Sequence, residues 1–339
     1  MTNDLLSQHR MNWNGHPVLV TGAGGFIGSH LVEALVEQGS KVRAFVHYNS
    51  RNDPGLLSFL PRGIFQEIEI VSGDLRDPLA VRRAANGIAT VFHLGALISI
   101  PYSYSHPYEV AETNLMGTLN VLQACRELEV ERLVHTSSSE VYGSALQVPI
   151  DENHPLQGQS PYSASKIGAD KLAESYYCAY GLPVVTLRPF NTYGPRQSSR
   201  AIVPTIIAQA LSSDEVHLGN TTPSRDLTYI SDIVEGFLRI AQAPGVEGET
   251  FNFGTGNEIS IAELAQRIIG LMGRDVEVVV ADERKRPERS EVQRLLADSS
   301  RARQRFGWEP IVSLEEGLRR TIDWISENMH LYKLGSYQV

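Results

Sequence analysis

Hydrophobic and polar positions follow two alternating periods in the first half of the chain. Short apolar runs typical of buried strands occupy residues 17–21, 41–47, 67–71, 90–94, 132–136 and 183–188. Stretches with helical periodicity lie between them, at 27–38, directly after Asp77-Pro78, at 107–128 and at 161–180. This repetition of strand and helix predicts an α/β fold, with a parallel, doubly wound sheet and right-handed crossovers.

The pattern changes after Arg188, so the second half of the chain is expected to be organised differently. Residues 189–200 are rich in Pro, Gly, Asn and Ser, which predicts a loop. Shorter strands and helices follow, up to an amphipathic helix at 314–327. We expect a main domain at 15–188 with a return segment at about 226–256, and a smaller mixed C-terminal domain at 189–225 and 257–330.

The composition is that of an ordinary globular protein, and it narrows the class of partner. The 339 residues are 42% hydrophobic and 20% charged, with a net charge of −9, which argues against nucleic acid or an anionic membrane as the main partner. Cys125 and Cys178 both fall in helical patterns, which favours buried free thiols and a reducing cytoplasm. The chain is polar through Asn14, and no apolar stretch approaches the ~20 residues of a membrane span.

A glycine-rich turn stands between the first predicted strand and the first predicted helix. Residues 22–28 read GAGGFIG, with the spacing Gly-x-x-Gly-x-x-Gly. Such a turn lets the backbone approach a pyrophosphate, and the helix that follows offers free N–H groups and the positive end of its dipole. A tight turn is the alternative for the glycines alone, but at this junction they predict a Rossmann-type dinucleotide site. The expected contacts come from Gly22, Gly25, Phe26, Ile27 and Gly28.

The end of the second predicted strand bears on the choice of dinucleotide. It carries no Asp or Glu to hold a ribose hydroxyl, whereas Ser50 and Arg51 are able to accept a 2′-phosphate. Both NAD and NADP therefore remain open. Asp74, followed by Leu75 after the third strand, is placed to meet the adenine. The alternatives are a solvated loop charge for Arg51 and a loop cap for Asp74.

A second pattern predicts proton transfer. Ser160 is able to cap a helix that begins at Pro161, so that Tyr162 and Lys166 share one face at positions i and i+4. A free phenol has a pKa near 10 and is a poor base at neutral pH, and a nearby ammonium lowers that pKa. The motif alone fits a surface pair. After the fifth strand and with the glycine turn upstream, it predicts oxidation of an alcohol, with Lys166 also holding the nicotinamide ribose.

Polar residues follow the fifth predicted strand, at the edge of the sheet where ligands bind. Ser138 and Ser139 bring hydroxyls that can hydrogen-bond a sugar hydroxyl and direct its proton to Tyr162. Glu140 adds a carboxylate, unless it faces solvent. Asn114 is expected to hold its helix and a water molecule, and no metal site is expected.

Together these residues resemble the extended short-chain dehydrogenase/reductase family, in its nucleotide-sugar branch, from about Pro17 to Leu331. Further marks are the segments 93–96 (HLGA, where the family usually has Ala third), 188–196 (RPFNTYGPR) and 225–232 (RDLTYISD). The resemblance implies a recycled, tightly bound NAD or NADP and a homodimer formed through 107–128 and 161–180, whose apolar faces equally fit an intrachain core. It implies cofactor contacts from Leu94, Gly95 and Ala96, and nucleotide-sugar contacts from Ser99, Asn191, Arg225, Arg286 and Glu291.

The family branch contains epimerases, decarboxylases and 4,6-dehydratases, and all of them begin by oxidising the sugar C4 hydroxyl. A dehydratase then needs a base for the C5 proton and an acid for the departing C6 hydroxyl, and Glu140 suits that duty. Many hexose 4-epimerases lack a carboxylate here, and many glucose-type dehydratases carry Thr-Asp-Glu where this chain has Ser138-Ser139-Glu140. Decarboxylases acting on UDP-glucuronate can carry Thr-Ser-Glu, so the triplet leaves the reaction open.

Four segments resemble a particular subgroup, the retaining N-acetylglucosamine-nucleotide 4,6-dehydratases of the legionaminic-acid pathway. They are residues 42–46 (VRAFV), 48–50 (YNS), 284–292 (RKRPERSEV) and 330–333 (HLYK). The resemblance implies a lyase that acts on a nucleotide-diphospho-N-acetylglucosamine, with UDP favoured over GDP. Tyr162 would take the O4 proton with help from Ser138 and Lys166, while C4 gives a hydride to the nicotinamide.

In the same mechanism Glu140 would remove the C5 proton, and Glu140 or Ser139 would protonate the C6 hydroxyl as water leaves. Return of the hydride to C6 gives the 4-keto-6-deoxy sugar. The alternatives are a UDP-sugar C4 epimerase, a UDP-glucuronate decarboxylase and a non-catalytic cofactor-sensing protein. The nucleobase, the 2-substituent and the C5 stereochemistry stay open.

Overall fold

The computed structural model describes residues 12–332, so Lys333 of the HLYK segment and most of the polar start of the chain lie outside the described residues. Its strands are β1 (Pro17–Thr21), β2 (Lys41–His47), β3 (Glu69–Gly73), β4 (Thr90–His93), β5 (Arg132–Thr136), β6 (Val184–Pro189), β7 (Asn191–Tyr193), β8 (Glu215–Leu218), β9 (Ser224–Tyr229), β10 (Thr250–Phe253), β11 (Glu258–Ser260), β12 (Glu277–Val280) and β13 (Arg294–Leu295). Its α-helices are α1 (Phe26–Glu37), α2 (Arg62–Gln66), α3 (Pro78–Ala85), α4 (Ile100–Ser105), α5 (Pro107–Ala111), α6 (Gly117–Glu127), α7 (Pro161–Tyr180), α8 (Ile202–Ser212), α9 (Ile230–Gln242), α10 (Ile261–Met272), α11 (Ser300–Phe306) and α12 (Leu314–Glu327).

A seven-stranded sheet forms the centre of the molecule, with the strand order β10-β6-β5-β4-β1-β2-β3. Every pairing in it is parallel, which confirms the predicted Rossmann-type α/β fold. The chain runs outward from β1 through β2 to β3 and then returns to place β4 on the other side of β1. The strand order reverses between β1 and β4, and ligands of such sheets bind in the crevice at the carboxyl ends of the strands there.

Most predicted elements lie within two residues of their observed bounds, with two informative differences. The third strand begins at Glu69 rather than residue 67, because the short helix α2 precedes it and Glu67 ends that helix. The long helix predicted at 107–128 is divided by one π-helical turn, Glu112–Met116, into α5 and α6. Such turns recur at functional sites because they rotate side chains out of the ordinary register.

The second half contributes a smaller assembly beside the main sheet. Strands β11, β9 and β13 form a sheet in that order, and β7 pairs with β9, so the segment predicted as a loop at 189–200 contains a strand. Of the predicted return segment, Thr250–Phe253 joins the main sheet as β10 beside β6, whereas β9 stays in the small sheet. Helix α9 packs against β5 and β6 and connects the two assemblies.

The two cysteines differ in burial, contrary to the expectation that both thiols are buried. Cys125 on α6 is buried, and burial raises its pKa to about 12. Cys178 is exposed, because it lies on the outer face of α7, near the end of that helix. Within residues 12–332, no helix is long and apolar enough to cross a membrane, and no group of three or more His, Cys, Asp or Glu side chains is arranged to hold a metal ion.

Candidate active site

The glycine turn closes tightly against the loop that follows β4. Gly22 has a φ of +70°, and a Cβ on it would lie 2.8 Å from Cα of Gly95. A Cβ on Gly28 would overlap the carbonyl oxygen of Gly22. Gly25 begins helix α1 without a capping side chain, and the first turn of α1 contains no acid. The first N–H groups of α1 are thus open to an anion at the strand-order switch, which fits a dinucleotide pyrophosphate.

The other residues predicted to contact the cofactor surround this turn. Gly95 donates its N–H to Oγ1 of Thr21 at 3.1 Å, and Leu75 packs so closely that a Cβ on Gly95 would lie 2.6 Å from its Cδ1. The carbonyl carbon of Leu94 lies against Gly22. Phe26, Ile27 and Ala96 are partly exposed. The structure therefore brings the 22–28 turn, Leu75 and the 94–96 loop together.

The loop after β2 packs on the same turn. The N–H of Leu56 donates to the carbonyl oxygen of Gly24 at 2.9 Å. Asn49 folds the loop, since its Oδ1 accepts the N–H groups of Arg51 and Asp53. Ser50 and Arg51 are exposed on this loop, close in sequence to the segment that touches the glycine turn.

Asp74 forms several hydrogen bonds with Arg76, which its sequence position did not indicate. Its Oδ1 accepts the N–H of Arg76 at 2.9 Å, and its Oδ2 lies 2.6 Å from Nη2 of Arg76. The hydrogen bond from the guanidinium of Arg76 lowers the pKa of Asp74. Asp74 therefore caps this loop, and its carboxylate remains partly exposed. Its contact with adenine stays a prediction.

Helix α7 begins as the sequence predicted. Oγ of Ser160 accepts the N–H of Ser163 at 3.1 Å, and Pro161 is the first helical residue. Tyr162 and Lys166 follow one turn apart, and both are buried. Nζ of Lys166 donates to the carbonyl oxygen of Thr136 at 2.7 Å, at the end of β5. Tyr162 shares a hydrogen bond with Ser138, just beyond that strand.

The predicted lowering of the phenol pKa is wrong for the protein alone. Burial raises the pKa of Tyr162 to about 12, while the hydrogen bond with Ser138 acts in the opposite direction. Burial also lowers the pKa of Lys166 to about 8. Lys166 directs its amine at Thr136, and desolvation of the phenol outweighs any help from the ammonium. The pair is therefore a desolvated acid and base that a charged ligand is able to adjust.

Glu140 is half-buried, directly beyond β5. It belongs to a 3₁₀ turn, Ser139–Tyr142, in which Ser139 is buried, and its N–H donates to Oγ of Ser138 at 3.2 Å. Its negative charge contributes to the raised pKa of Tyr162, after burial. Burial lowers the pKa of Arg225, and the charge of Glu140 opposes that effect. The carboxylate thus interacts electrostatically with both the phenol and a buried guanidinium.

Three of the residues predicted to contact a nucleotide sugar, Arg225, Arg286 and Glu291, lie together, and the charge of Glu140 acts on Arg225. Oε1 of Glu291 lies 3.7 Å from Nη2 of Arg225 and 3.6 Å from Nη1 of Arg286. Among the described residues, Nη1 of Arg286 and Oδ1 of Asn191 are buried without a hydrogen-bond partner. Ser99 caps α4 and precedes Ile100, which packs with Tyr162. Unpaired buried groups of this kind fit a polar ligand.

Three residues of this region escaped the sequence analysis as site residues. The hydroxyls of Tyr104 and Ser290 are 2.6 Å apart, and Oγ of Ser290 donates to the carbonyl oxygen of Gln159 at 2.6 Å. This chain of bonds ties the loop of Arg286 and Glu291 to α4 and to the start of α7. Ser290 lies in the segment 284–292, which resembles the dehydratase subgroup, whereas Tyr104 and Gln159 belong to no sequence motif that would have marked them.

Asn114 has the supporting role that was expected of it. It sits in the π-helical turn, where its Oδ1 accepts the N–H of Leu97 at 2.7 Å and its Nδ2 donates to Oγ of Ser165 at 3.0 Å. It therefore joins the loop before α4 to helix α7, one residue from Lys166. The water molecule expected beside it stays a prediction.

Comparisons with known proteins agree with this geometry. Residues 19–321 match the family described as GDP-mannose 4,6 dehydratase. The UDP-glucose 4-epimerase of Mycolicibacterium smegmatis is 35% identical over 313 residues, 90% of this chain and 97% of that protein. The crystal structure of DesIV, a dTDP-glucose 4,6-dehydratase from Streptomyces venezuelae with NAD bound, has a TM-score of 0.81 at 29% identity and covers 93% of this chain and 98% of its own.

A solved structure of an epimerase is also similar to this chain. It is the UDP-N-acetylglucosamine 4-epimerase from Methanobrevibacter ruminantium in complex with UDP-N-acetylmuramic acid, with a TM-score of 0.83 at 29% identity, covering 93% of this chain and 99% of its own. Dehydratases and epimerases are thus matched over nearly the same length, on a common fold. The chain belongs to the GDP-mannose 4,6-dehydratase family, among the NAD-dependent nucleotide-sugar dehydratases and epimerases of the extended short-chain dehydrogenase/reductase type.

Proposed function

We propose that this protein is a nucleotide-sugar 4,6-dehydratase, which removes water across C5 and C6 of a hexose. The observation that supports this most is the position of Glu140, whose charge acts on both Tyr162 and Arg225. A carboxylate between the proton acceptor for O4 and the side chains for the diphosphate is able to serve carbons beyond C4. Oxidation at C4 alone does not require this carboxylate, whereas elimination of water requires both an acid and a base.

We propose that NAD or NADP is bound tightly and recycled. The turn of Gly22, Gly25 and Gly28 would hold its pyrophosphate, and Lys166 the nicotinamide ribose. When bound, the nicotinamide would accept a hydride from C4 and return it to C6. The exposed Ser50 and Arg51, without an acid at the end of β2, leave room for a 2′-phosphate.

The substrate that we propose is UDP-N-acetylglucosamine, with the GDP sugar as the second choice. The solved relative from M. ruminantium is named for UDP-N-acetylglucosamine. Arg225 and Arg286 would bind the diphosphate, since guanidinium groups form paired hydrogen bonds with phosphate oxygens. Asn191, Ser99 and Glu291 would complete the contacts to nucleotide and sugar.

The chain's own groups would then act in order. Tyr162, hydrogen-bonded to Ser138, would take the O4 proton as its phenolate, and positive charge brought by the bound ligand would offset the burial that disfavours this form. Glu140 would remove the C5 proton once the C4 ketone has made it acidic. Glu140 or the buried Ser139 would give a proton to the C6 hydroxyl as it leaves. Closure of the smaller assembly over the crevice would keep water from the reactive intermediate.

The remaining proposals concern organisation. We propose a dinucleotide-binding domain at 15–188 with the return segment at about 226–256, and a substrate domain at 189–225 and 257–330. A homodimer through α5, α6 and α7 is proposed because α5 exposes Tyr108 and α7 exposes Tyr177 and Tyr180. The free thiols of Cys125 and Cys178 suit a reducing cytoplasm.

The deciding experiment incubates the protein with UDP-N-acetylglucosamine and follows the sugar nucleotide by mass spectrometry and NMR. We expect loss of one water and a 4-keto-6-deoxy product. Glu140→Gln should stop elimination while exchange of the C4 hydrogen with the cofactor continues, and a fall in rate of about 10²–10⁴ is expected. Glu174→Gln, on the exposed side of α7, is the matched control and should keep full activity. Dehydration by Glu140→Gln at near-normal rate would refute the assignment.

A C4 epimerase is the second candidate, favoured by the 35% identity to the M. smegmatis enzyme. In the same incubation an epimer of unchanged mass would establish it. A parallel incubation uses UDP-glucuronate, because loss of carbon dioxide from it would identify a decarboxylase. Failure to turn over any of these sugars, with the cofactor bound, would revive the cofactor-sensing alternative.

A further inference from the structure

A buried carboxylate lies behind the Tyr162–Lys166 pair, one turn further along α7. Oδ1 of Asp170 lies 3.0 Å from Nε2 of His135, and its Oδ2 accepts Oγ–H of Ser137 at 2.6 Å. The guanidinium of Arg188 also donates to Oδ2, from Nε at 3.2 Å and from Nη2 at 2.9 Å. Asp170 is 5% exposed, so it is a desolvated anion that four bonds hold in one position.

These bonds join β5 and α7, the two elements that position the proton-transfer groups, to the neighbouring strand β6. Ser137 stands between Thr136, whose carbonyl oxygen accepts Nζ of Lys166, and Ser138, which is hydrogen-bonded to Tyr162. Arg188 is the second-to-last residue of β6. Asp170 belongs to the same helix as Tyr162 and Lys166. The hydrogen bond between Ser137 and Asp170 therefore fixes the position of the end of β5 relative to Tyr162 and Lys166.

The charge of Asp170 reaches the same pair. The groups that interact with Lys166 through charge are Asp170 on its own helix, His135 on β5 and His93 on β4. Arg188 on β6 is paired with Asp170. Burial lowers the pKa of both histidines, so they are neutral. Asp170 opposes the lowering of the Lys166 pKa by burial, and it adds to the raised pKa of Tyr162.

We propose that Asp170 is a positioning residue for proton transfer, which holds the end of β5 against α7 and places a carboxylate one helical turn from Lys166. It touches neither substrate nor cofactor and acts through Ser137 and Lys166. The proposal rests on the oxidation step of the proposed function. Because a buried amine at neutral pH loses its charge readily without an anion beside it, removal of this carboxylate should change the titration of Lys166.

The test measures that titration without relying on activity. The lysine methylene carbons are labelled with ¹³C, and the signal of Lys166 is assigned with Lys166→Arg and followed by NMR against pH. In Asp170→Asn we expect the pKa of Lys166 to fall by roughly one unit or more. The matched control Glu174→Gln, one turn further on the exposed side of α7, should leave it unchanged. An unshifted Lys166 in folded Asp170→Asn would overturn the charge role.

Activity measurements separate position from charge. In Asp170→Asn both limbs of the pH profile of kcat should move to lower pH, because the pKa values of Lys166 and Tyr162 both fall. Ser137→Ala removes one bond to Asp170 but no charge, so kcat should fall severalfold with both limbs in place and KM little changed. Should Asp170→Asn fail to fold, Asp170→Glu keeps the charge and displaces it, and it should behave like Ser137→Ala. Full kcat in Ser137→Ala and Asp170→Glu would overturn the positioning role, whereas inactivity of the wild-type protein would count only against the proposed function.

Discussion

The carboxylate of Glu291 approaches the guanidinium of Arg225, with 3.7 Å between Oε1 and Nη2. Arg286 approaches the same oxygen at 3.6 Å. Both arginines are proposed to bind the diphosphate of the substrate, so an internal carboxylate lies at the place where phosphate charge would be attracted. Binding of the diphosphate must therefore displace Glu291 or share the two guanidinium groups with it.

The affinity for a bare anion should report this competition. Glu291→Gln removes the negative charge, and we expect inorganic pyrophosphate to bind roughly three- to tenfold more tightly, the effect of one partly buried ion pair. Isothermal titration calorimetry measures it directly. Glu288→Gln is the control, because that carboxylate is exposed on the preceding turn. Equal pyrophosphate affinity in wild type and Glu291→Gln would mean that the carboxylate does not compete.

The glycine turn makes a different kind of prediction, in which space decides the result. A Cβ on Gly28 would overlap the carbonyl oxygen of Gly22, so Gly28→Ala must move the turn away from the start of α1. We expect a loss of roughly 1–3 kcal/mol in unfolding free energy and at least a tenfold loss of NAD affinity. Gly270→Ala is the matched control, because that exposed helical glycine has open space around it, and it should gain about 0.5–1 kcal/mol.

How far the sequence predicts this fold depends on whether the signal is local. The parallel sheet and α7 follow from periodicity and from the cap at Ser160, which are local features. The start of β3 does not, because alternation continues through residues 67–71 and nothing in it marks where α2 ends. The strand at Asn191–Tyr193 is also invisible in sequence, since its pairing partner is the distant β9.

In the candidate site, too, local features are predictable from the sequence and long-range contacts are not. The relation of Tyr162 to Lys166 is helical geometry and was predictable, but the direction of the phenol pKa depends on burial by α4 and its neighbours. The bond between Tyr104 and Ser290 joins residues 186 positions apart, with no motif at one end. Long-range contacts of single polar side chains carry no sequence period, which is why these were missed.

The cofactor choice can be tested at the loop after β2. Arg51 is exposed there and no acid ends the strand, so the wild-type protein should accept NADP as well as NAD. Arg51→Glu should weaken NADP binding by about tenfold or more through repulsion of the 2′-phosphate, while NAD affinity stays within about twofold. Fluorescence titration of the reduced cofactors measures both. Arg62→Glu makes the same charge change away from that loop, and an equal loss of NADP binding there would show a general charge effect instead.

Replacing the buried Lys166 by an apolar residue should make the protein more stable and inactive. Burial lowers the pKa of the Lys166 amine from 10.5 to about 8, which corresponds to roughly 3 kcal/mol lost from the unfolding free energy while the amine is charged. Lys166→Met removes that charge but leaves the carbonyl oxygen of Thr136 without its donor, which costs about 1–2 kcal/mol. The cofactor-free variant should therefore be more stable than wild type at pH 7 by roughly 1–2 kcal/mol, and inactive.

The pH dependence of that difference distinguishes a charge effect from repacking. Below about pH 8 the amine of Lys166 is charged in the folded and the unfolded chain, and the penalty is complete. Between about pH 8 and 10.5 the folded chain releases the proton first, so wild type gains stability as the pH rises and the advantage of Lys166→Met shrinks. Urea unfolding at pH 6, 7, 8 and 9.5 follows it, with the exposed Lys171→Met as the control. A variant that is less stable than wild type at pH 7, or a gap that does not narrow, would show that the charge of Lys166 is not the cost assigned to it.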